Sequence, residues 1–89
     1  MKNLRLTVIL FIVGAFLLAQ AVVSAQSDAA KEWAIKGYKE TDPNKQIEYY
    51  TKAISIDPNY AWAYNARGSA YTALKKYNEA IADYTKVIS

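Results

Sequence analysis

The sequence contains no cysteine and no histidine. The first absence excludes disulfides, thiolate zinc sites and cysteine nucleophiles. The second removes the commonest general base and metal ligand at neutral pH. Glycine occurs three times, and the three are scattered, so no glycine-rich loop can cradle a phosphate. The two prolines are Pro43 and Pro58. A strong charge of one sign is also missing. Lys and Arg number 11 against 8 Asp and Glu, and two of the cations, Lys2 and Arg5, lie at the extreme N-terminus. The pI of about 9.1 therefore owes much to the first residues and gives no argument for a nucleic-acid partner. From Gln26 onward the signs alternate, as they do on solvated helix faces. No Ser–Lys pair is singled out by spacing. The chain is expected to have no catalytic site, no cofactor and no bound metal.

What is present begins with an address. The stretch MKNLRLTVILFIVGAFLLAQAVVSA opens with Lys2 and Arg5 and closes with Val23-Ser24-Ala25. Between Leu6 and Val23 only Thr7 and Gln20 interrupt the apolar run. This is the three-part pattern of a secretory signal peptide over 1–25, with cleavage expected between Ala25 and Gln26. The alternative is an uncleaved anchor over residues 4–23. A helix from Leu6 to Val23 would span about 27 Å, near the lower limit for a hydrocarbon core of about 30 Å. In both readings the basic end stays in the cytoplasm and the rest is exported, so the membrane is met only through this segment. No cysteine follows the run, which excludes an acylated lipoprotein signal.

The remainder repeats itself. IEYYTKAIS runs from Ile47 to Ser55, and IADYTKVIS runs from Ile81 to Ser89; six of nine positions match at an offset of 34 residues. Apolar and small residues recur three and four apart through Tyr64, Gly68 and Tyr71, and again through Ala80, Tyr84, Val87 and Ile88, which is helical periodicity. Lys75-Lys76-Tyr77-Asn78 breaks the pattern, with Asn78 expected to cap the last helix. Ile47, Tyr50, Ala53 and Ile54 form another helical face. Asp42 can cap that helix, and Pro43 suits its first turn, where its missing N–H would be unpaired anyway. Pro58 ends it by disfavouring helical geometry at Asp57. Earlier, Ala30, Trp33, Ala34, Gly37 and Tyr38 share one face. Most of the eight tyrosines are expected in the core. The sequence therefore predicts four helices in two hairpins, an all-α chain of antiparallel helix-turn-helix units preceded by an apolar N-terminal helix.

Tyr64-x-x-Arg67-Gly68-x-x-Tyr71 followed by Ala80-x-x-x-Tyr84, with Ala53 and Pro58 closing the unit before, resembles the tetratricopeptide repeat, a 34-residue helix-turn-helix. The resemblance implies an α-solenoid fragment of about two repeats, 27–60 and 61–89, the second incomplete at its C-terminus. Without gaps, Trp33 stands at the Leu position of the first repeat, Ala34 at the Gly position and Gln46 at the second small position. A three-residue deletion would instead align Trp33-x-x-x-Gly37. Arg67 and Asp83 replace Trp33 and Tyr49 of the first repeat, and the joint switch predicts that they touch as a partly exposed pair. Ser89 falls inside the last helix, and roughly three repeats are needed for stability. The chain is therefore expected either to continue into further repeats or to self-associate through the face of Tyr84, Val87 and Ile88.

By the same resemblance, the concave face of the first helices binds a protein or an extended peptide. Its positions are Lys31, Ile35, Tyr38 and Lys39 in the first repeat and Trp62, Asn65, Ser69 and Thr72 in the second. Trp62 is either an anchor for that ligand or cover for a neighbouring helix. Ala66 stands where the family's carboxylate-clamp pattern has Asn, so a chaperone-tail ligand is not expected. The functional expectation is an exported helical-repeat scaffold mediating protein–protein interaction. The alternatives are a membrane-anchored assembly factor and the N-terminal repeat arm of a longer enzyme.

Overall fold

A computed structural model describes residues 28–89. The N-terminal segment, with its expected cleavage site and membrane span, lies outside the described residues. Four helices follow one another: α1 over 28–39, α2 over Pro43–Ile56, α3 over Ala61–Ala73 and α4 over Tyr77–Ile88. Among the described residues no strand is present, and no helix is long and apolar enough to cross a membrane. α1 and α3 end 34 residues apart, and so do the starts of α2 and α4. Three residues join the helices within each hairpin.

Local chemistry sets these boundaries. Asp42 has extended backbone geometry, and its carboxylate accepts a hydrogen bond from the Asn44 amide at 3.0 Å, with Pro43 at the first helical position. This satisfies one of the N–H groups that a helix start leaves unpaired. The Glu40 carboxylate accepts from the amides of Thr41 and Asp42 at 3.1 and 3.2 Å. The Gln46 amide reaches back to donate to the Glu40 carbonyl at 2.7 Å. Gln46, which occupies a small-residue position of the repeat, thus fastens the first hairpin turn. α2 stops at Asp57, whose carboxylate accepts from the Asn59 amide and whose carbonyl accepts from Tyr60, both at 3.1 Å.

The second hairpin turns by another device. Lys76 N–H donates to the Tyr71 carbonyl and Lys75 N–H to the Thr72 carbonyl, both at 2.9 Å. That is the paired pattern of a Schellman ending, and it forces Lys75 to a φ of +60°. The chain re-enters helix at Tyr77, one residue before the expected cap. Asn78 therefore lies inside α4, and Lys76 holds the cap position with no side-chain hydrogen bond.

The core is a seam of alanines. Ala34, Ala53 and Ala63 form its centre, with Trp33, Ile54 and Tyr60 packed against it. Ala30, Ala70 and Ala80 extend it. So narrow a seam brings helices close but has little room for rings, which corrects the expectation of a tyrosine core. Of the eight tyrosines one, Tyr50, is buried, four are half-buried and three are exposed. Tyr38, which is also an expected groove position, is 74% exposed.

The glycines show where rings do fit. A Cβ on Gly37 would lie 2.5 Å from Cε1 of Tyr50, and one on Gly68 would lie 2.8 Å from Cε1 of Tyr84. Tyr50 and Tyr84 are equivalent at 34 residues, but Gly37 and Gly68 are not. Position 37 corresponds to Tyr71, and position 34, an alanine, to Gly68. The side-chain gap sits one helical turn further along in the first hairpin, and the partner ring follows it.

One charged pair enters the seam. Arg67 Nε donates to Asp83 at 2.8 Å and Nη2 donates to its other oxygen at 2.7 Å, while Nη1 reaches Thr51 Oγ1 at 3.2 Å. Asp83 is 4% exposed and Arg67 half-buried, so the pair stays partly exposed on the arginine side, as expected. The guanidinium also lies 5.6 and 5.8 Å from the rings of Tyr64 and Tyr71. The equivalent residues of the first hairpin, Trp33 and Tyr49, stack with centroids 6.0 Å apart, with Lys36 and Lys52 over the Trp33 ring. Either filling closes the same gap between helices.

Candidate functional site: an aromatic groove

α1 and α3 each present one stripe toward the same side. Ile35 and Tyr38 are three apart on α1, and Trp62, Asn65 and Ser69 follow at three and four on α3, so each set shares a helix face. Trp62 is the hub. Its ring meets Tyr50 edge-on at 5.9 Å, Tyr60 at 6.2 Å and Tyr38 at 6.3 Å. It is nonetheless 45% exposed. Aromatic pairs in such tilted arrangements gain about 0.5–1.5 kcal/mol beyond their buried area. The cluster therefore holds Trp62 in place while leaving part of its surface open.

Two cavities lie against this hub. One, of about 270 Å³, is lined by Ala34, Ile35, Tyr38, Tyr60 and Trp62. The other, of about 350 Å³, shares Tyr38 and Trp62 as walls and adds Gln46, Tyr50, Asn65 and Ser69, with the small Ala66, Ala70 and Ala73. No Asp, Glu, Lys or Arg lines either one. Burial pushes the Tyr50 hydroxyl above its ordinary value of 10.0, with a smaller contribution from neighbouring Tyr38. The site can offer ring faces, an indole N–H, amides and hydroxyls, but no fixed charge.

Five of the eight residues expected in the groove meet here: Ile35, Tyr38, Trp62, Asn65 and Ser69. Lys31, Lys39 and Thr72 are exposed and line neither cavity. The Thr72 hydroxyl donates to the Gly68 carbonyl of its own helix at 2.9 Å. Sequence reasoning missed Gln46 and Tyr50, the contribution of α2, and Tyr60 from the linker. Tyr50 had a signal, its place in the repeated phrase, but that signal marks a core position. The same ring serves both.

Residues 49–82 match the family model of the tetratricopeptide repeat. The chain is a tetratricopeptide-repeat protein. The matched stretch is one period long and runs from the second half of α2 into α4, across the junction at which α3 packs on α2. The repeat is also shared with curated proteins. The chain is 37% identical over 73 residues to "Translocon at the outer membrane of chloroplasts 64" of Pisum sativum, a match covering 80% of this chain and 12% of the relative. It is 32% identical over 68 residues to "Heat shock protein STI1" of Saccharomyces cerevisiae, covering 74% of this chain and 11% of the relative. It is 33% identical over 67 residues to "DnaJ homolog subfamily C member 7" of Mus musculus, covering 75% and 14%. The chain thus spans a small part of the length of the relatives it matches.

Proposed function

We propose that this repeat protein is an exported scaffold that binds another protein as an extended peptide along the groove between α1 and α3. The observation that carries the reading is the convergence of Ile35, Tyr38, Trp62, Asn65 and Ser69 on one pair of adjoining cavities. Large, partly open aromatics in a concave setting are the residues on which binding energy concentrates. Three relatives with unlike names each match most of this chain, which supports a role as a reusable binding module. Replacing Trp62 with Ala is expected to weaken binding by about 2 kcal/mol.

The test is a peptide array probed with the full chain. Spots lost on Trp62→Ala and Tyr38→Ala but kept on Tyr77→Ala support the groove; Tyr77 is an exposed α4 residue that lines neither cavity. Loss on Tyr77→Ala alone would remove it. Export rests on the tripartite N-terminal segment. Intact mass of the chain recovered outside the cytoplasm tests it, with Gln26 expected as the first residue. A chain still beginning at Met1 and resisting alkaline extraction would make the segment an anchor over residues 4–23.

A further inference from the structure

We propose that the peptide this groove takes is an uncharged, proline-rich segment in the polyproline II conformation. The proposal rests on the reading of the groove as a peptide site. Charge speaks first. Neither cavity has an acid or a base in its lining, and the two lysines of the α1 stripe stand outside both. A charged ligand segment would be desolvated there with no opposite charge to meet it, whereas a neutral one has no such cost.

The walls speak next. The rings of Tyr38, Tyr50 and Tyr60 are inclined to that of Trp62 at 54°, 79° and 37°. Trp62 is 45% and Tyr38 74% exposed, so these two keep ring surface available for a guest, with the buried Tyr50 behind them. Tyr38 and Trp62 stand as a ridge between two slots. A polyproline II rod carries ring side chains at a regular interval of three residues per turn, which suits successive slots either side of a ridge. Aromatic-lined grooves are the usual receptors for such rods.

Hydrogen bonding points the same way. Proline has no N–H, and polyproline II has no internal hydrogen bonds, so the ligand's backbone presents carbonyls in search of donors. The indole of Trp62 can only donate; Asn65, Ser69 and the Tyr38 hydroxyl can donate as well. An amphipathic helix would keep its carbonyls to itself. A β-strand ligand would need a sheet edge, and the described residues contain no strand. The groove is shallow, and a rod already ordered before binding loses little entropy in it.

The experiment titrates the full chain with a capped oligoproline peptide, followed by indole fluorescence in a Trp33→Phe background so that Trp62 reports alone. A capped Gly-Ser peptide and an acidic peptide with a free C-terminus are run beside it. The expected result is binding of oligoproline that weakens about tenfold or more on Tyr38→Ala and less on Asn65→Ala, with little dependence on salt. Tyr38 is exposed, so its removal leaves the fold intact, and far-ultraviolet circular dichroism checks this. Failure of oligoproline to bind, or binding indifferent to Tyr38→Ala, overturns the proposal. If the acidic peptide then binds and is lost on Tyr38→Ala, the proline assignment falls and the groove stands. If no peptide responds to Tyr38→Ala, both readings fall.

Discussion

Two helices carry almost the same nine residues and meet different surroundings. In α2, Tyr50 is 4% exposed and Ala53 is fully buried; in α4, the equivalent Tyr84 and Val87 are 38% and 37% exposed. Ile54 packs against the core, whereas Ile88 is 85% exposed. Both segments are helical, so the phrase is enough for local structure. What differs is the neighbour. α3 lies on α2, and among the described residues no helix lies on the corresponding face of α4. In a stacked array burial comes from the next element, and each unit is incomplete alone. The same phrase is also tuned to its place. Tyr49 stacks on Trp33, and its counterpart Asp83 binds Arg67, so one gap is closed by rings and the other by charge.

That second contrast can be broken hardest. Asp83→Ala leaves the half-buried Arg67 guanidinium without its carboxylate, and losing a hydrogen bond to a charged group costs about 1.5–3 kcal/mol. Urea unfolding should show that loss. Tyr49→Ala, the equivalent change, removes packing but strands no charge and should cost less. The double change Arg67→Trp with Asp83→Tyr rewrites the second hairpin in the language of the first. It should recover most of the loss of either single change. If the two changes merely add, the positions are not interchangeable fillings.

The glycines sharpen the comparison of covered and uncovered helices. Gly37→Ala drives a methyl against the ring of Tyr50, which is buried and set edge-on against Trp62. Overpacking of this kind costs about 1–3 kcal/mol. Gly68→Ala meets Tyr84, which is 38% exposed and can swing outward. Its penalty should be offset by the gain of about 1 kcal/mol that alanine brings to a helix interior. Midpoints of urea unfolding for the two variants should therefore separate clearly. Equal losses would mean that Tyr84 is held as firmly as Tyr50.

Much of the fold was legible because local chemistry writes it. Asp42-Pro43 and Asp57-Pro58 mark helix ends by hydrogen bonding and fixed φ, and those ends are where they were expected. The contact of Arg67 with Asp83 was legible because both members switch together against Trp33 and Tyr49. Three things were not. The burial of Asp83, and the further contacts of Arg67 with Thr51, Tyr64 and Tyr71, follow from how the helices pack, which no spacing conveys. The start of α4 depends on a left-handed lysine, a residue type that gives no warning of that conformation. Gln46 and Tyr50 reach the groove from α2 and Tyr60 from the linker before α3, and a helical wheel drawn for α1 or α3 cannot show it. Lys31, Lys39 and Thr72 share those helix faces and line neither cavity.

The hairpin turns differ too, and a smaller effect follows. Lys75 has a φ of +60°, whereas no other non-glycine residue of the described chain has a positive φ. Left-handed backbone costs an ordinary residue about 1 kcal/mol that glycine does not bear. Lys75→Gly should stabilise the chain by about that amount. Thr41→Gly in the first turn, where no such strain exists, should instead lose a few tenths through the looser unfolded chain. A thermal melt of both variants decides it. Loss of stability in Lys75→Gly would show that the lysine side chain contributes more than its backbone costs.

The smallest effect returns to the paired tyrosines and appears only in alkali. Burial holds the Tyr50 hydroxyl above its ordinary value of 10.0 in the folded chain, and Tyr38 adds to the shift. An acid whose folded value is raised keeps its proton longer folded than unfolded. Above pH 10 the unfolded chain therefore binds fewer protons than the folded one, and stability falls as pH rises. The contribution of Tyr50 is fully present below the unfolded value and is lost progressively above it. Tyr50→Phe removes the titrating hydroxyl while keeping the ring over Gly37. Its urea midpoint should decline less between pH 9 and pH 11 than that of the parent chain. If Tyr50→Phe leaves the alkaline decline unchanged, the burial of that hydroxyl contributes nothing to it.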